Sequence, residues 1–279
     1  MTAPSDRLRP PSFATAVFRI FDLSLGRMLS SRRSVLLALL VVGPVALSLA
    51  IRIAVAFDFG PPRAPRPGGP VLYGLIMWLL YIRFIVPVLG VFYGTSLVAD
   101  EVDDKTLTYL FIRPIPRGAV LVGKYLAFLT CAALLVLPSE TLVYFLIVPI
   151  RGGRMGDSFP ALVADLGVSI AGLAAYGAVF AYVGARLKRP LVVGLVFAFG
   201  WEPAVLFFPG YLKRLTVAYY LQGLVPHAMP DDTAATILLR VVRETPPVWA
   251  SLASLALLTV GGLWLASLAV IRREYVLDQ

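Results

Sequence analysis

Charged, sulfur-containing and imidazole side chains are all scarce in this chain. Only 15% of its 279 residues are charged, where a soluble domain carries about 25%, and 59% are hydrophobic. Cys131 is the single cysteine and His227 the single histidine, so no internal disulfide and no thiolate or histidine metal cluster can form. Neither an H-E-x-x-H nor a G-x-S-x-G motif occurs. These absences argue against an enzyme, and we expect no catalytic, cofactor-binding or metal-binding residues in this chain.

The apolar residues are concentrated in windows that fit membrane-spanning helices. Crossing the hydrocarbon core takes about 20 apolar residues per helix. Stretches rich in proline, glycine or arginine separate six such windows, which are residues 34–57, 71–99, 120–150, 161–185, 191–211 and 248–271. The sequence therefore predicts an all-α integral membrane fold of six transmembrane helices. They form one domain, residues 34–271, between an N-terminal segment (1–33) and a short tail (272–279).

The N-terminal segment predicts an amphipathic helix, and it lacks the uninterrupted apolar stretch of a cleaved signal peptide. Ser12 follows two prolines and can cap this helix. Arg19, Asp22 and Arg27 lie opposite a broad apolar face. That face contains Phe13, Val17, Phe18, Ile20, Phe21, Leu25 and Met28. Such a helix either lies in the inner interface of the membrane or packs against the spans as ordinary core.

The distribution of Lys and Arg predicts which side of the membrane each loop occupies. Both termini and the loops 100–118 and 186–190 share one side and hold most of the basic residues, so the termini are predicted to be cytoplasmic. The net charge of +9 then reflects the cytoplasmic face, and we expect no nucleic-acid partner. Lys124, which opens the third span, is interpreted as an interfacial anchor. The basic loop 213–247 falls on the outer side and is predicted to hold a surface or re-entrant helix.

One short stretch, residues 118–124, has the spacing G-x-x-x-x-G-K of a phosphate-binding loop. Such a loop follows a strand and needs Ser or Thr at the next position as a ligand for magnesium. Here the next residue is Tyr125, and the stretch leads directly into an apolar window. We therefore expect that ATP does not bind at these glycines.

Four charged residues fall inside predicted spans, where an unpaired charge costs at least about 2.5 to 3.5 kcal/mol. They are Arg52, Arg83, Glu140 and Glu202. Arg83 and Glu140 both lie roughly 25 Å from the inner boundary at 1.5 Å per residue. A salt bridge between them is predicted, either as a lock between spans two and three or as part of a path. Arg52 is close enough to the outer face to snorkel, and Glu202, beside Pro203, predicts a break in span five.

Small residues recur at four-residue steps in the fourth span. Ala171 and Ala175 form one such row, and Gly177, Ala181 and Ala185 form another. Rows of this kind indicate close helix contact, either within one chain or between two copies.

Residues 93–127 resemble the permease subunits of the type-two ATP-binding-cassette exporter family. In that family the second span ends in acidic residues, and a Thr-Leu-containing helix, a Pro-x-x-Arg turn and a Gly-Lys pair follow. The matching residues are Asp100, Glu101, Thr106, Leu107, Pro114, Arg117, Gly123 and Lys124. Lys105 departs from the pattern, since the family often has glycine before Thr-Leu. Residues 201–224 also look like the fifth-span region of such permeases.

The resemblance implies a cytoplasmic coupling helix between spans two and three that contacts a separate ATPase. The residues it assigns to this contact are Asp100, Glu101, Asp103, Asp104, Thr106, Leu107, Arg113, Pro114 and Arg117. Acids at the start and arginines at the end also suit the dipole of a helix. A solvated loop that only joins the two spans is the other interpretation of this charge run.

Further expectations follow from the same resemblance. The chain would be a permease in a bacterial inner membrane, paired with a second copy or a related permease and with two ATPase subunits that bind ATP and magnesium. Its partners would otherwise be membrane lipid, and no substrate class is indicated. The alternative function is an ion-coupled secondary transporter that uses Arg83, Glu140 and Glu202 for translocation, although the sequence has no convincing inverted repeat.

Overall fold

The computed structural model describes residues 12–58, 67–103, 117–206, 211–225 and 246–272, and every regular element within them is helical. The α-helices are α1 (Phe13–Leu29), α2 (Arg32–Ala56), α3 (Gly69–Ile76), α4 (Val86–Asp103), α5 (Arg117–Ile147), α6 (Met155–Arg186), α7 (Pro190–Val196), α8 (Glu202–Leu206), α9 (Val217–Gln222) and α10 (Val248–Arg272). Two π-helical segments, π1 (Met77–Ile85) and π2 (Phe197–Trp201), continue α3 into α4 and α7 into α8. Short 3₁₀ turns occupy Ile150–Gly152 and Tyr211–Leu215. The all-α prediction is confirmed for these residues.

Five helical stretches are long and apolar enough to cross a membrane. They are Arg32–Ala56, Gly69–Val98, Gly118–Ile147, Met155–Arg186 and Val248–Val270. The predicted fifth window, 191–211, contains only the shorter apolar stretch Pro190–Val205. The count of six spans therefore stays a prediction.

Helix α6 lies at the centre of the bundle and contacts α4, α5 and α10. Glycines permit these contacts, because a methyl group at Gly184 would lie 2.4 Å from the Thr95 carbonyl oxygen of α4. A methyl group at Gly177 would lie 2.1 Å from the Phe128 ring of α5. The predicted close contact of the fourth span is confirmed, and it lies within one chain.

The bundle has two ends that the contacts define. At one end, which we call the Gly69 end, Gly69 of α3 and Gly153 before α6 both pack against the carbonyl of Val148 after α5. At the other end, the α1 end, Lys124 Nζ of α5 donates a hydrogen bond to the Leu97 carbonyl of α4 at 3.2 Å. Helices α4 and α5 are therefore antiparallel neighbours, and α4 ends where α5 begins.

Helix α1 packs along the first turns of α5. Its predicted cap is confirmed, since Ser12 Oγ accepts a hydrogen bond from the Thr15 backbone N–H at 3.3 Å. Ala16 is buried at the contact, while Phe18 on the predicted apolar face is 70% exposed. The helix thus packs against the spans with part of its apolar surface and leaves another part uncovered. Its placement in a membrane interface stays a prediction.

Candidate functional site

The two π-helical segments approach each other through one aromatic pair. A π-helix bonds residues five apart and carries more residues per turn than an α-helix, and such segments are frequent at functional sites. The rings of Phe84 in π1 and Phe199 in π2 stand with centroids 5.5 Å apart. The backbone N–H of Glu202 donates to the Phe197 carbonyl, which closes the π-helical turn directly before that carboxylate.

Glu202 is the centre of a buried hydrogen-bond network. Its side chain is 3% exposed, and its Oε2 accepts a hydrogen bond from the Tyr176 hydroxyl of α6. Its Oε1 accepts from the Val217 backbone N–H at 3.1 Å, and the carboxylate also accepts from the backbone N–H of Ala218. Thr216, at the N-cap position of α9, makes no side-chain cap, so Glu202 satisfies these free N–H groups instead. A negative charge at this end of a helix is also favoured by the helix dipole.

The described helix continues through Glu202 as far as Leu206, so the predicted break at Glu202 stays a prediction. Val217, at the start of α9, lies beside Glu202. Leu221 of α9 packs against Gly172 in the middle of α6. The carboxylate therefore joins α8 to the start of α9, where backbone N–H groups have no helical partner.

Arg83 adds a positive charge to this network. Its guanidinium carbon lies 4.9 Å from the centre of the Trp78 ring, a cation–π contact, and its charge interacts with Glu202 and Tyr176. Trp78 and Arg83 are five residues apart, and the π-helical turn brings positions at this spacing onto one face. We refer to Trp78, Arg83, Tyr176, Glu202 and Val217 as the Glu202 network.

The predicted salt bridge between Arg83 and Glu140 is wrong. Glu140 is completely buried, its Oε1 accepts a hydrogen bond from Ser169 of α6, and its Oε2 has no hydrogen-bond partner among the described residues. The charge of Arg83 instead interacts with Glu202. Equal depth in adjacent helices did not decide the pairing, because Arg83 and Glu140 face different neighbours around their helix axes.

The sequence analysis missed a second buried acid near Glu140. Asp165 of α6 is 1% exposed and lies one turn from Ser169, within electrostatic range of Glu140. The Tyr73 side chain of α3 interacts with both carboxyl groups. Asp165 is the single charged residue in the predicted apolar window 161–185, and this feature of the sequence could have identified it.

The predicted snorkelling of Arg52 to the outer face stays a prediction. Its Nη1 donates a hydrogen bond to the Leu146 carbonyl near the end of α5 at 2.8 Å. This places Arg52 toward the Gly69 end, and it ties α2 to α5.

The predicted coupling residues lie at the α1 end of the bundle or outside the described residues. The backbone of Asp100, Glu101 and Asp103 forms the last turn of α4, and Arg117 is the first residue of α5. Asp104, Thr106, Leu107, Arg113 and Pro114 lie in the segment 104–116, outside the described residues. The hydrogen bond from Lys124 to Leu97 holds the two ends of this segment close to each other. The role of these residues in binding an ATPase stays a prediction.

A second set of hydrogen bonds joins α1 to the core at this end. Ser34, the third residue of α2, donates to the Met28 carbonyl of α1. The Tyr93 hydroxyl of α4 donates to Ser34 Oγ at 2.7 Å. Cys131 Sγ of α5 lies 3.6 Å from the same hydroxyl. The Ser34 and Tyr93 side chains thereby link a movement of α1 to α4.

The glycines with phosphate-loop spacing belong to a regular helix. Residues 117–147 form α5 without interruption, and Gly123 faces α1, where a methyl group would lie 2.8 Å from the Val17 carbonyl oxygen. Close packing of α1 explains this glycine. Among the described residues, no three His, Cys, Asp or Glu side chains form a group that could hold a metal ion.

Comparison with known protein families decides the class of the chain. The model of the ABC-2 family transporter proteins matches residues 10–219, which is most of the chain. The chain belongs to the ABC-2 transporter family. The predicted family is therefore confirmed. A search of the curated proteins found no match.

Membership of the ABC-2 family indicates the functional class of the protein. The matched residues include α1 to α8, the segment 104–116 and the whole Glu202 network. Members are multi-pass membrane permeases that are not themselves catalytic and normally work with an ATP-binding subunit. This ABC-2 protein is accordingly a membrane permease.

Proposed function

We propose that this ABC-2 protein forms the membrane path of an ATP-driven exporter whose ATP is hydrolysed by a separate cytoplasmic subunit. The family and the apolar helices support the permease role. In this proposal the α1 end faces the cytoplasm of a bacterial cell, and the Gly69 end faces outward. ATP and magnesium bind to two ATPase subunits, and a second permease chain completes the path.

The ATPase acts on the segment 104–116 together with the last turn of α4. The observation that carries this proposal is the hydrogen bond from Lys124 to Leu97, because it pairs the end of α4 with the start of α5. A force on the segment between them therefore moves both helices. The acidic residues Asp100, Glu101 and Asp103 continue α4, so a basic surface on the ATPase is the complementary partner.

Helix α4 can carry such a movement into the membrane. It runs for 18 residues, about 27 Å, from Asp103 to π1, which holds Arg83 in the Glu202 network. Glu202 in turn joins α8 to the start of α9. In the proposed cycle, displacement of α4 shifts Arg83 against Glu202 and so changes the packing around this junction.

Charge reversal at the end of α4 tests the proposal. The full chain is co-expressed with its ATP-binding subunit, sought among the neighbouring genes, and the complex is reconstituted in vesicles. We expect Glu101→Lys with Asp104→Lys to reduce co-purification of the ATPase at least tenfold and to remove the dependence of its ATP hydrolysis on the permease. Membrane insertion and thermal stability should match the wild type.

Asp157→Lys is the matched control. Asp157 is exposed in the first turn of α6, at the opposite end of the bundle, so reversal of its charge should leave both measurements unchanged. Normal ATPase binding and normal coupling in the Glu101 and Asp104 variant would refute the assigned contact. Transport that proceeds in vesicles without ATP, driven by an ion gradient, would instead support the secondary transporter.

A further inference from the structure

Glu140 is a buried carboxyl group whose partners are incomplete. No part of the side chain is exposed, and only Oε1 has a hydrogen-bond donor, the Ser169 hydroxyl. Oε2 is buried without any hydrogen-bond partner among the described residues. A buried polar atom in this condition is rare and calls for a specific explanation.

Glu202 provides a direct comparison within the same molecule. It is buried to nearly the same degree, but both of its oxygens accept hydrogen bonds, and the charge of Arg83 lies nearby. Both oxygens of Glu202 are therefore paired. Those of Glu140 are not, because among the described residues a single hydroxyl group is its donor.

Among the residues that the structure describes, the charged and titratable groups that interact with Glu140 supply no compensating positive charge. Asp165 of α6, Tyr73 of α3 and Tyr81 of π1 interact with it electrostatically, and each is acidic. The Tyr81 hydroxyl is engaged with Ser139 at 2.6 Å. Arg52, near the end of α2, donates instead to the Leu146 carbonyl. An isolated ionised carboxylate in an apolar interior is so unfavourable that such a group takes up a proton instead.

We propose that Glu140 is a proton-binding site with an exchangeable proton on Oε2. A proton there turns the unpartnered acceptor into a donor and removes an isolated buried charge, and Asp165 is a second buried carboxyl group within electrostatic range. Glu140 lies seven residues before the end of α5, about 10 Å along the helix, so the Gly69 end is the nearer end of α5 for exchange of this proton. This inference is independent of the ATPase contact at the α1 end.

Infrared spectroscopy of the full chain in lipid nanodiscs tests the proposal. At neutral pH the wild type should show the carbonyl stretching band of a protonated carboxylic acid, and this band should shift in D₂O. Glu140→Gln should abolish it, since an amide keeps the shape of the side chain and removes the acid. Asp157→Asn, at an exposed acid, and Glu202→Gln, at the other buried glutamate, should both leave it in place.

Two measurements keep the test decisive if Glu140→Gln does not fold. Wild-type protein labelled with ¹³C-carboxyl glutamate should show the band at lower frequency, and Ser169→Ala should raise the frequency because Oε1 loses its donor. A wild type without the band at neutral pH, a band that survives Glu140→Gln, or a band unmoved by the label would overturn the proposal. A missing band combined with thermal stabilisation by sodium, but not by N-methylglucamine, would assign the site to a metal cation and would equally overturn it.

Discussion

Two buried acids in one membrane protein can have different roles because their hydrogen-bond donors differ. Glu202 receives the Tyr176 hydroxyl and the free N–H groups of α9, and so it joins α6, α8 and α9 at one point. Glu140 receives one hydroxyl group and shares its surroundings with Asp165. At the scale of the residue, the donors predict a structural acid with both oxygens paired at the first site and a protonated acid at the second.

Removal of one donor from Glu202 should weaken the junction of α8 and α9 measurably. Tyr176→Phe deletes a hydroxyl that is fully buried and donates to a carboxylate, so we expect a loss of about 1.5–3 kcal/mol in the free energy of unfolding. Reversible denaturation of the purified chain in detergent micelles measures this loss.

Tyr182→Phe is the control for that measurement. Tyr182 lies on the same helix and is half-buried, and its hydroxyl forms no hydrogen bond within the described residues. Its replacement should change the free energy of unfolding by less than about 0.5 kcal/mol. Equal losses in the two variants would show that the bond to Glu202 contributes nothing specific.

At the scale of the element, glycine decides where helices approach each other. Gly123 of α5 has the backbone of α1 directly over it, whereas the nearest atom to a methyl group at Gly118 would be the Phe13 ring at 3.9 Å. The first position has no space for a side chain, and the second has an ordinary contact distance. The two glycines therefore differ in function although both belong to the same sequence motif.

A larger side chain at Gly123 should separate α1 from the bundle. Gly123→Val would collide with the Val17 carbonyl and the Ile20 side chain, and overpacking of this kind costs about 1–3 kcal/mol. Hydrogen exchange of the amides in residues 13–29 should accelerate in this variant and stay at the wild-type rate in Gly118→Ala. An unchanged exchange rate in Gly123→Val would contradict the described packing.

The sequence predicted the elements better than it predicted their contacts. Long apolar windows identified the helices, and Ser12 identified the start of α1, because each depends on neighbours along the chain. The π-helical turns were missed, since one extra residue per turn leaves no mark in an apolar window. The predicted partner of Arg83 was wrong for a related reason. Residue counts give the depth of a side chain in the membrane, but they do not give the direction that it faces. That direction depends on rotation about the helix axis, which π1 changes.

At the scale of the whole molecule, the predicted orientation has the α1 end of the bundle facing the cytoplasm. The Gly69 end and the α1 end are defined by internal contacts, and the membrane orientation rests on the excess of Lys and Arg near the α1 end. Cysteine labelling addresses this directly. The only native thiol, Cys131, is completely buried and should contribute little background.

Two exposed positions at opposite ends give the required pair of sites. Ser30 follows α1, and Asp157 lies in the first turn of α6. In intact cells a membrane-impermeant maleimide should label Asp157→Cys, whereas Ser30→Cys should react only after the membrane is permeabilised. The opposite pattern would place the segment 104–116 on the outer side, where no cytoplasmic ATPase could reach it. Labelling of both positions in intact cells would place the end of α1 and the start of α6 on the same side, which contradicts the packing of α1 along the first turns of α5.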